Sequence, residues 1–292
     1  MTAITSCATS VTWEETVWQG EPAWASVQNK ISAIVSVARA RLIYLGKMDG
    51  SFNLLNAPVP QVHADKGNPW PNQGGHRFWL GPQSRWAWPP PADWEYSAAQ
   101  SIRAQGAVLS LEHTHTNPGY PAVIREYAWE NNRLRCTATW QDNGRPFFGI
   151  HIVAVDTPFI ITARLEKTEA APAGLVAAQM VAPEAPIVLP HPAINVSDHH
   201  AVIRAGARTA KLGFMPQPLT IDRLQGWKLS VLPGPASVTT SESPDHGYIT
   251  QVWVGDSAHA IAELEQLTPY LKGDTSGRCT STIYLEASPP AP

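Results

Sequence analysis

The stretch YITQVWVGDSAHAIAELEQLTP, residues 248–269, contains two strand-like runs separated by a turn. The first run, 248–254, is apolar, and the second, 259–265, carries Glu263 and Glu265 two residues apart. Because side chains alternate between the two faces of a strand, both carboxylates are expected on the same face. Two adjacent like charges repel each other unless they lie in water or share a site with a partner. The stretch therefore predicts a pair of strands whose carboxylates lie either on an exposed face or in a polar cleft.

Short strands of the same kind are predicted along the rest of the chain. Turn signals occur at residues 47–50, 131–132 and 142–144. Helix is predicted only at 96–105 and 173–181, and residues 56–96 are expected to be irregular. Many short strands between Gly- and Pro-rich turns indicate an all-β sandwich or barrel. The strand-like runs cover residues 32–45, 107–112, 123–129, 134–140, 147–155, 159–165, 201–205, 210–214, 226–231, 248–254, 259–265 and 279–285.

No linker interrupts this series, so residues 1–292 are predicted to form a single domain. Residues 1–30 are expected to be an N-terminal extension or edge strands, and residues 287–292 a flexible tail. The chain is 43% hydrophobic, which is ample for a packed core, and it has 12 tryptophans, more than a core needs. Tryptophan offers a flat apolar surface with one polar N–H, which suits cores, interfaces and sugar faces alike.

Charge and composition argue against several classes of function. A net charge of −3 argues against a nucleic-acid partner, and no run of about 18 apolar residues predicts a membrane span. The first 20 residues contain Glu14 and Glu15 and do not resemble a signal peptide, so the cytoplasm is the default expectation. A chain that had lost a leader would instead be secreted or periplasmic. The three cysteines give neither a metal-type pair nor a disulfide framework, and no phosphate loop or Gly-x-Ser-x-Gly motif is present.

Four motifs in the same order resemble those of aldose-1-epimerase (galactose mutarotase)-like proteins, in particular an uncharacterised subgroup. The chain departs from the family at Arg39-Ala40, where the family has two glycines, and residues 166–240 match poorly. The four motifs are DGSFNLL at 49–55 within 35–56, NQGGHRFWLGPQ at 72–83 followed by WPPP at 88–91, DNGRP at 142–146 running into IHI at 150–152, and PDHG at 244–247 with ELEQLTP at 263–269.

This resemblance implies a single-domain antiparallel β supersandwich with a carbohydrate site in a cleft on one sheet, and no cofactor. Mutarotases open a sugar hemiacetal with a carboxylate base and a histidine acid about one sugar ring apart. On the family pattern, Glu265 is the predicted base, Glu263 its neighbour on the same face, and His151 the predicted acid. A solvated strand end explains Glu265 as well, and a hydrogen-bonded core histidine explains His151.

The resemblance also implies a set of sugar-binding residues. Gly74 and Gly75 would let the backbone approach closely, so that Arg77 reaches into the cleft with His76 beside it. Trp79, Trp86 and Trp88 would stack on a sugar face. A buried arginine paired with a carboxylate, and tryptophans packed under a Pro-rich loop, are the alternatives.

His113 and His115 are expected to share one strand face because they lie two residues apart. Zinc sites use three or four ligands, so two histidines are a weak metal signal, and both are expected to be polar groups on the cleft side rather than metal ligands. Three functions therefore stay open: an enzyme acting on the anomeric centre of a sugar, a non-catalytic carbohydrate-binding protein, and a structural or partner-binding β protein.

Overall fold

The computed structural model describes residues 11–58, 73–86, 89–95, 97–169, 171–178, 191–205, 209–255 and 260–290. Strands in these ranges pair antiparallel and form two ten-stranded sheets, with the orders β1-β2-β3-β4-β5-β10-β19-β18-β15-β12 and β13-β14-β11-β16-β17-β20-β9-β8-β7-β6. The first sheet contains β1 Glu14–Trp18, β2 Glu21–Gln28, β3 Ile31–Ser36, β4 Arg41–Lys47, β5 His76–Gly81, β10 Phe148–Asp156, β12 Val176–Ala177, β15 Ala210–Phe214, β18 Thr250–Val254 and β19 Ile261–Leu267. The second contains β6 Ser101–Gln105, β7 Val108–His113, β8 Val123–Glu130, β9 Arg133–Gln141, β11 Ile160–Arg164, β13 Ile194–Val196, β14 His200–Arg204, β16 Leu219–Asp222, β17 Lys228–Ala236 and β20 Arg278–Ser288.

Helices in the described ranges are short. One α-helical turn, α1, covers Ala92–Glu95, and 3₁₀ turns cover Gln83–Arg85, Leu224–Gly226 and Pro244–Gly247. None of these helices has the length and apolarity that crossing a bilayer requires. The all-β antiparallel architecture that the sequence predicts is therefore confirmed.

The main core lies between the two sheets. Val153 of β10 and Leu264 of β19 pack from the first sheet against Leu109 of β7 and Ile283 of β20 in the second. Each of these side chains is at most 1% exposed. Burial of an aliphatic side chain of this size contributes roughly 1.5–3 kcal/mol, so this layer dominates the stability of the fold. The opposite face of the first sheet carries polar and charged residues together with apolar ones.

The predicted turns are confirmed by their backbone geometry. The N–H of Gly50 donates to the carbonyl of Lys47 at 3.0 Å. Asn131 and Asn132 have φ of 47° and 67°, as a two-residue hairpin turn with the right-handed strand twist requires. The N–H of Gly144 donates to Oδ1 of Asp142 at 2.8 Å, closing the third turn.

Several expected boundaries are wrong. Residues 101–105 form strand β6 instead of a helix, because pairing with β7 outweighs the helix propensity of Ala and Gln. The described part of the second predicted helix, 173–178, contains strand β12, and strand β5 lies inside the stretch expected to be irregular. The run 32–45 divides into β3 and β4. The predicted tail begins too early, since β20 continues to Ser288. In the first sheet β1 is the edge strand and β2 lies between β1 and β3.

Candidate functional site

The central strands of the first sheet present one polar face away from the second sheet. Glu265 of β19 pairs with Ile152 of β10 on one side and with Gln251 of β18 on the other. Directly paired residues share a face of the sheet, so these side chains point the same way. Leu264 points the other way, into the core. The face that carries Glu265 is therefore the one available to a ligand.

A cavity of about 580 Å³ opens on this face. Its floor is made by strand residues and its rim by the connections at the strand ends. Floor residues are Phe148, Ile150, Lys211, Gln251, Glu265 and Leu267, and rim residues are Pro82, Gln83, Ser84, Trp86, Ser243, Pro244, Asp245, His246 and Tyr270.

Glu265 and Lys211 form an ion pair on the floor of the cavity. Nζ of Lys211 lies 3.0 Å from Oε2 of Glu265, and both residues are buried. Burial raises the pKa of Glu265; Lys211 opposes this effect, and the neighbouring Glu263 adds to it. A carboxylate whose pKa is raised toward neutrality is suited to accept and return a proton at physiological pH.

Glu263 is held by a row of alternating charges beside the cavity. Nη2 of Arg77 lies 2.5 Å from Oε1 of Glu263, and Nε of Arg77 lies 4.0 Å from Oε2 of Glu95. Glu95 in turn bonds Nη1 of Arg41 at 2.9 Å and accepts from Nε1 of Trp79 at 3.1 Å. Arg77 is fully buried and is not among the residues that line the cavity. The expectation that Arg77 reaches into the cleft is therefore wrong, because carboxylates on both sides pair with its guanidinium.

The two glycines before Arg77 do permit a close approach, but to the protein's own backbone. Gly75 has φ of +70°, and a Cβ there would lie 2.2 Å from the carbonyl oxygen of Leu42. Its N–H donates to the carbonyl of Asn56 at 2.5 Å. The carbonyl of Gly74 accepts from Nη1 of Arg41 at 3.1 Å. The turn consequently locks β5 against β4 and does not face the cavity.

His151 and His76 lie on the core side of the first sheet. Nδ1 of His151 shares a 3.1 Å hydrogen bond with Nε2 of His76, and Nε2 of His151 shares one of 2.9 Å with Oγ of Ser281 in the second sheet. Nδ1 of His76 lies 3.2 Å from the Tyr127 hydroxyl. Burial lowers the pKa of His151 to about 3 and holds that of His76 well below its ordinary value.

The prediction that His151 and Glu265 face one cleft is therefore wrong. Ile152, not His151, is the residue of β10 that pairs with Glu265, and side chains alternate along a strand. The structure matches the alternative of a hydrogen-bonded core histidine for His151. His76 likewise does not line the cavity.

The tryptophans differ in their placement. Trp86 lines the cavity and donates from Nε1 to the carbonyl of Leu80 at 3.1 Å. Trp79 packs edge-to-face against it at 5.5 Å and covers the Arg77 guanidinium at 4.9 Å, so it is a supporting residue beneath the rim. Trp88 lies outside the described residues.

His113 and His115 do not converge. Strand β7 ends at His113, so the alternation that would place both on one face stops there. Nε2 of His113 accepts from Nη2 of Arg125 at 2.6 Å, whereas Nδ1 of His115 lies 3.3 Å from Asp93. Neither lines the cavity. Within the described ranges, no group of three or more His, Cys, Asp or Glu side chains is placed to hold a metal ion.

No site role is predicted from the sequence for most lining residues; those with polar or aromatic groups include Lys211, Asp245, His246, Gln251 and Tyr270. A signal existed for Lys211, because a lysine in the otherwise apolar run AKLGF requires a partner if the strand is buried. The alternation that pairs Glu263 with Glu265 likewise extends to Gln251 once the register of β18 is known. Asp245 and His246 belong to the PDHG motif, which predicts a turn but gives neither residue a site role.

Comparison with known proteins supports the architecture. No protein-family model matches the chain, and no curated protein sequence matches it. Three solved structures are similar over nearly the whole chain. The Slr1438 protein from Synechocystis sp. PCC 6803 has a TM-score of 0.53 at 10% identity and covers 99% of each chain. A galactose mutarotase related enzyme from Lactobacillus acidophilus has a TM-score of 0.51 at 8% identity, over 91% of this chain and 97% of its own.

A galactose mutarotase-like protein from Lactobacillus casei ATCC 334 has a TM-score of 0.50 at 10% identity, over 91% of this chain and 100% of its own. Identities this low establish the fold and not the activity, because one fold hosts many functions. The chain therefore has the galactose mutarotase-like antiparallel supersandwich fold.

Proposed function

We propose that this protein binds a carbohydrate in the cavity above Glu265 and interconverts its anomers. The observation that carries the proposal is the placement of Glu265: a buried carboxylate at the floor of an open cavity on the outer face of the first sheet. The likeness in fold to galactose mutarotase-like proteins supports the same conclusion.

The walls of the cavity have the composition that a sugar needs. Sugars present hydroxyl groups at their edges and C–H groups on their faces. Lys211, Gln251 and Glu265 supply charged and amide groups on the floor, while Trp86 and Tyr270 supply aromatic surface at the rim. Polar and apolar residues line the cavity in roughly equal parts, and about 580 Å³ lies in the usual range of roughly 300–1,000 Å³ for small-molecule sites.

Glu265 is suited to the role of general base. Anomer exchange begins when a base removes the proton of the anomeric hydroxyl while the ring C–O bond breaks and the ring oxygen gains a proton. The open-chain aldehyde then rotates about its C1–C2 bond, and the reverse steps close the ring on the other face. Both protons return to their donors, so no co-reactant is required. The raised pKa of Glu265 brings its proton affinity closer to that of the groups it must exchange with.

The test is anomer exchange measured by NMR on a panel of unphosphorylated and phosphorylated aldoses. We expect the protein to accelerate exchange of at least one of them and Glu265→Gln to reduce the rate by about 10²–10⁴-fold, as for loss of a general base. Glu286→Gln is the matched control, because Glu286 is an exposed carboxylate of the second sheet that pairs with Arg133. Equal rates for wild type and Glu265→Gln would contradict the proposed role of Glu265.

The Lys211–Glu265 ion pair favours a second candidate, a non-catalytic sugar-binding protein. An ammonium group 3.0 Å from the carboxylate stabilises its charged form and reduces its basicity. Saturable sugar binding by calorimetry without any acceleration of anomer exchange would select this candidate. Absence of both binding and acceleration would overturn the carbohydrate assignment.

A further inference from the structure

We infer that His246 is the acid that protonates the ring oxygen of the sugar, in place of a histidine on the central strand. This inference rests on the proposed function. The reason is that His151 of β10 faces the core. The residues of β10 that do line the cavity are the apolar Phe148 and Ile150. Anomer exchange needs a proton donor as well as Glu265. The donor must therefore come from another element.

His246 is the histidine that lines the cavity among the residues that the structure describes. It lies in the 3₁₀ turn Pro244–Gly247, which leads into β18. Its side chain is exposed at the rim, and its ring has no hydrogen-bonded or ionic partner within the described protein. A ligand in the cavity could thus be its first polar partner.

The turn is tied to the strand beside the base. Nε2 of Gln251 donates to the Asp245 carboxylate and also to the carbonyl of Tyr248 at 3.2 Å. Gln251 pairs directly with Glu265, and neighbouring strands lie about 4.8 Å apart. His246 therefore follows Asp245, which is hydrogen-bonded to β18, the strand next to the one that carries Glu265.

The turn that carries His246 has an unusual backbone conformation. Asp245, His246 and Gly247 have φ of 47°, 55° and 92°, three successive residues in the left-handed region. Non-glycine residues adopt this region at a cost and persist there only where their surroundings hold them. Here the N–H of Tyr248 donates to the carbonyl of Asp245 at 3.1 Å, in addition to the bond from Gln251.

Of the other titratable groups facing the cavity, Lys211 and Asp245 already have side-chain partners, and Tyr270 is a phenol, a weaker acid than a protonated imidazole. Lys211 of β15 pairs with Glu265, and so lies on the side of the base. Asp245, on the same turn as His246, accepts from Gln251. Tyr270, in the segment after β19, packs edge-on against Phe148 at 5.1 Å. His246 remains as the group suited to donate.

Glu265 and His246 together account for every proton and electron pair that moves in the reaction. As Glu265 takes the proton of the anomeric hydroxyl, the O–H electron pair forms the C1=O bond of the aldehyde. The bond between C1 and the ring oxygen breaks, its electron pair stays on that oxygen, and the protonated imidazole of His246 supplies the proton. Ring closure on the opposite face reverses both transfers: Glu265 gives its proton back to the aldehyde oxygen, and His246 recovers a proton from the hydroxyl group that closes the ring.

The decisive variant is His246→Asn. Asparagine tolerates the left-handed backbone better than most residues, so the turn should keep its shape while the titratable group is lost. We expect anomer exchange to fall by about 10²–10⁴-fold, with the sugar Kd changed less than about threefold. The pH dependence of the exchange rate should differ between the wild type and the variant, which lacks the imidazole. Added imidazole should restore part of the rate of His246→Gly, whose small residue also accepts φ of 55°.

His200→Asn is the matched control, because His200 is an exposed histidine at the start of β14 in the second sheet. A full rate in His246→Asn, together with a loss in Glu265→Gln, would overturn the role of His246 and leave the proposed function standing. Absence of acceleration by the wild-type protein would overturn both. A loss in His246→Asn that imidazole cannot rescue, with an unchanged pH profile, would also contradict a role as proton donor.

Discussion

Arg77 is a buried structural residue and not one that lines the cavity. Its sequence context fits a sugar-binding arginine and a buried structural arginine equally. In the structure its guanidinium lies between Glu263 and Glu95 and under the ring of Trp79, with no exposed surface. A planar guanidinium suits such a buried position, because it offers several donors in a fixed plane. Arg77 therefore holds Glu263 in place beside the cavity floor.

We predict that Arg77→Met destabilises the protein by about 3–5 kcal/mol, because it leaves Glu263 and Glu95 buried without this partner. Urea unfolding followed by circular dichroism measures the loss. Arg133→Met is the matched control: Arg133 bonds Glu286 at 2.9 Å, but both side chains are more than a third exposed. Exposed pairs contribute about 0–1 kcal/mol, so a similar loss in the two variants would contradict the structural role of Arg77.

Among the elements, the junction between β4 and β5 depends on a glycine for two reasons at once. Gly75 has a left-handed backbone, and the carbonyl of Leu42 occupies the position that a Cβ would take. Gly106, in the turn between β6 and β7, has a similar φ of +58° but open space around it. The two positions separate the cost of the backbone conformation from the cost of the contact.

We predict that Gly106→Ala costs about 1–2 kcal/mol, the penalty for a left-handed L-residue. Gly75→Ala should cost more, by a further 1–3 kcal/mol or so, because the new methyl group overlaps a backbone carbonyl that cannot move freely. Thermal and urea unfolding of the two variants provide the comparison. Equal losses would show that the close approach at Gly75 is not a constraint.

The alternation of side chains between the two faces of a strand explains most of what could and could not be predicted for the site. Alternation within β19 correctly placed Glu263 and Glu265 on one face, because that inference needs only one strand. The face of His151 depends on the register between β10 and β19, and a shift of one residue reverses it. His115 does not follow the alternation because β7 ends two residues earlier, at His113. Lys211 bonds Glu265 from a distant part of the chain, and strand pairing places Gln251 beside Glu265, a proximity that the sequence alone does not show.

Across the whole molecule, the fold class followed from the count of short strands and turns, whereas the order of the strands did not. The twenty described strands enter the two sheets in groups, such as β1–β5 and then β6–β9, and neighbours such as β5 and β10 are far apart in sequence. That residues 1–292 form one domain stays a prediction, although one core does combine side chains from both sheets. Within this interior, the fold also encloses neutral histidines.

We predict that the protein loses stability as the pH falls from about 6.5 toward 3. Burial lowers the pKa of His151 to about 3 and that of His113 to about 2, while that of His76 is also lowered. These histidines bind protons more readily in the unfolded chain than in the folded one. Their contribution to the free energy of unfolding is therefore present above the unfolded pKa of about 6.5 and is lost as the pH falls below it. Glu265 opposes this trend, because its pKa is raised.

Urea unfolding at a series of pH values measures the effect. In that range each buried neutral histidine contributes a slope of up to about 1.4 kcal/mol per pH unit. His151→Gln keeps an amide that can bond His76 and Ser281 but removes one titrating group, so its slope should be smaller than that of the wild type. Identical slopes in the wild type and His151→Gln would contradict the assignment.

The cavity combines two kinds of chain segment, and this division affects how its ligand preference can change over evolution. The floor is made by paired strands whose other face is the core, so a substitution there perturbs the whole fold. The rim residues 82–86 follow the end of β5 and belong to no strand. Mutations in this segment can reshape the entrance while Glu265 and Lys211 stay in place. Natural variants and a mutant library would thus diversify ligand choice at the entrance long before they alter the chemistry at the floor.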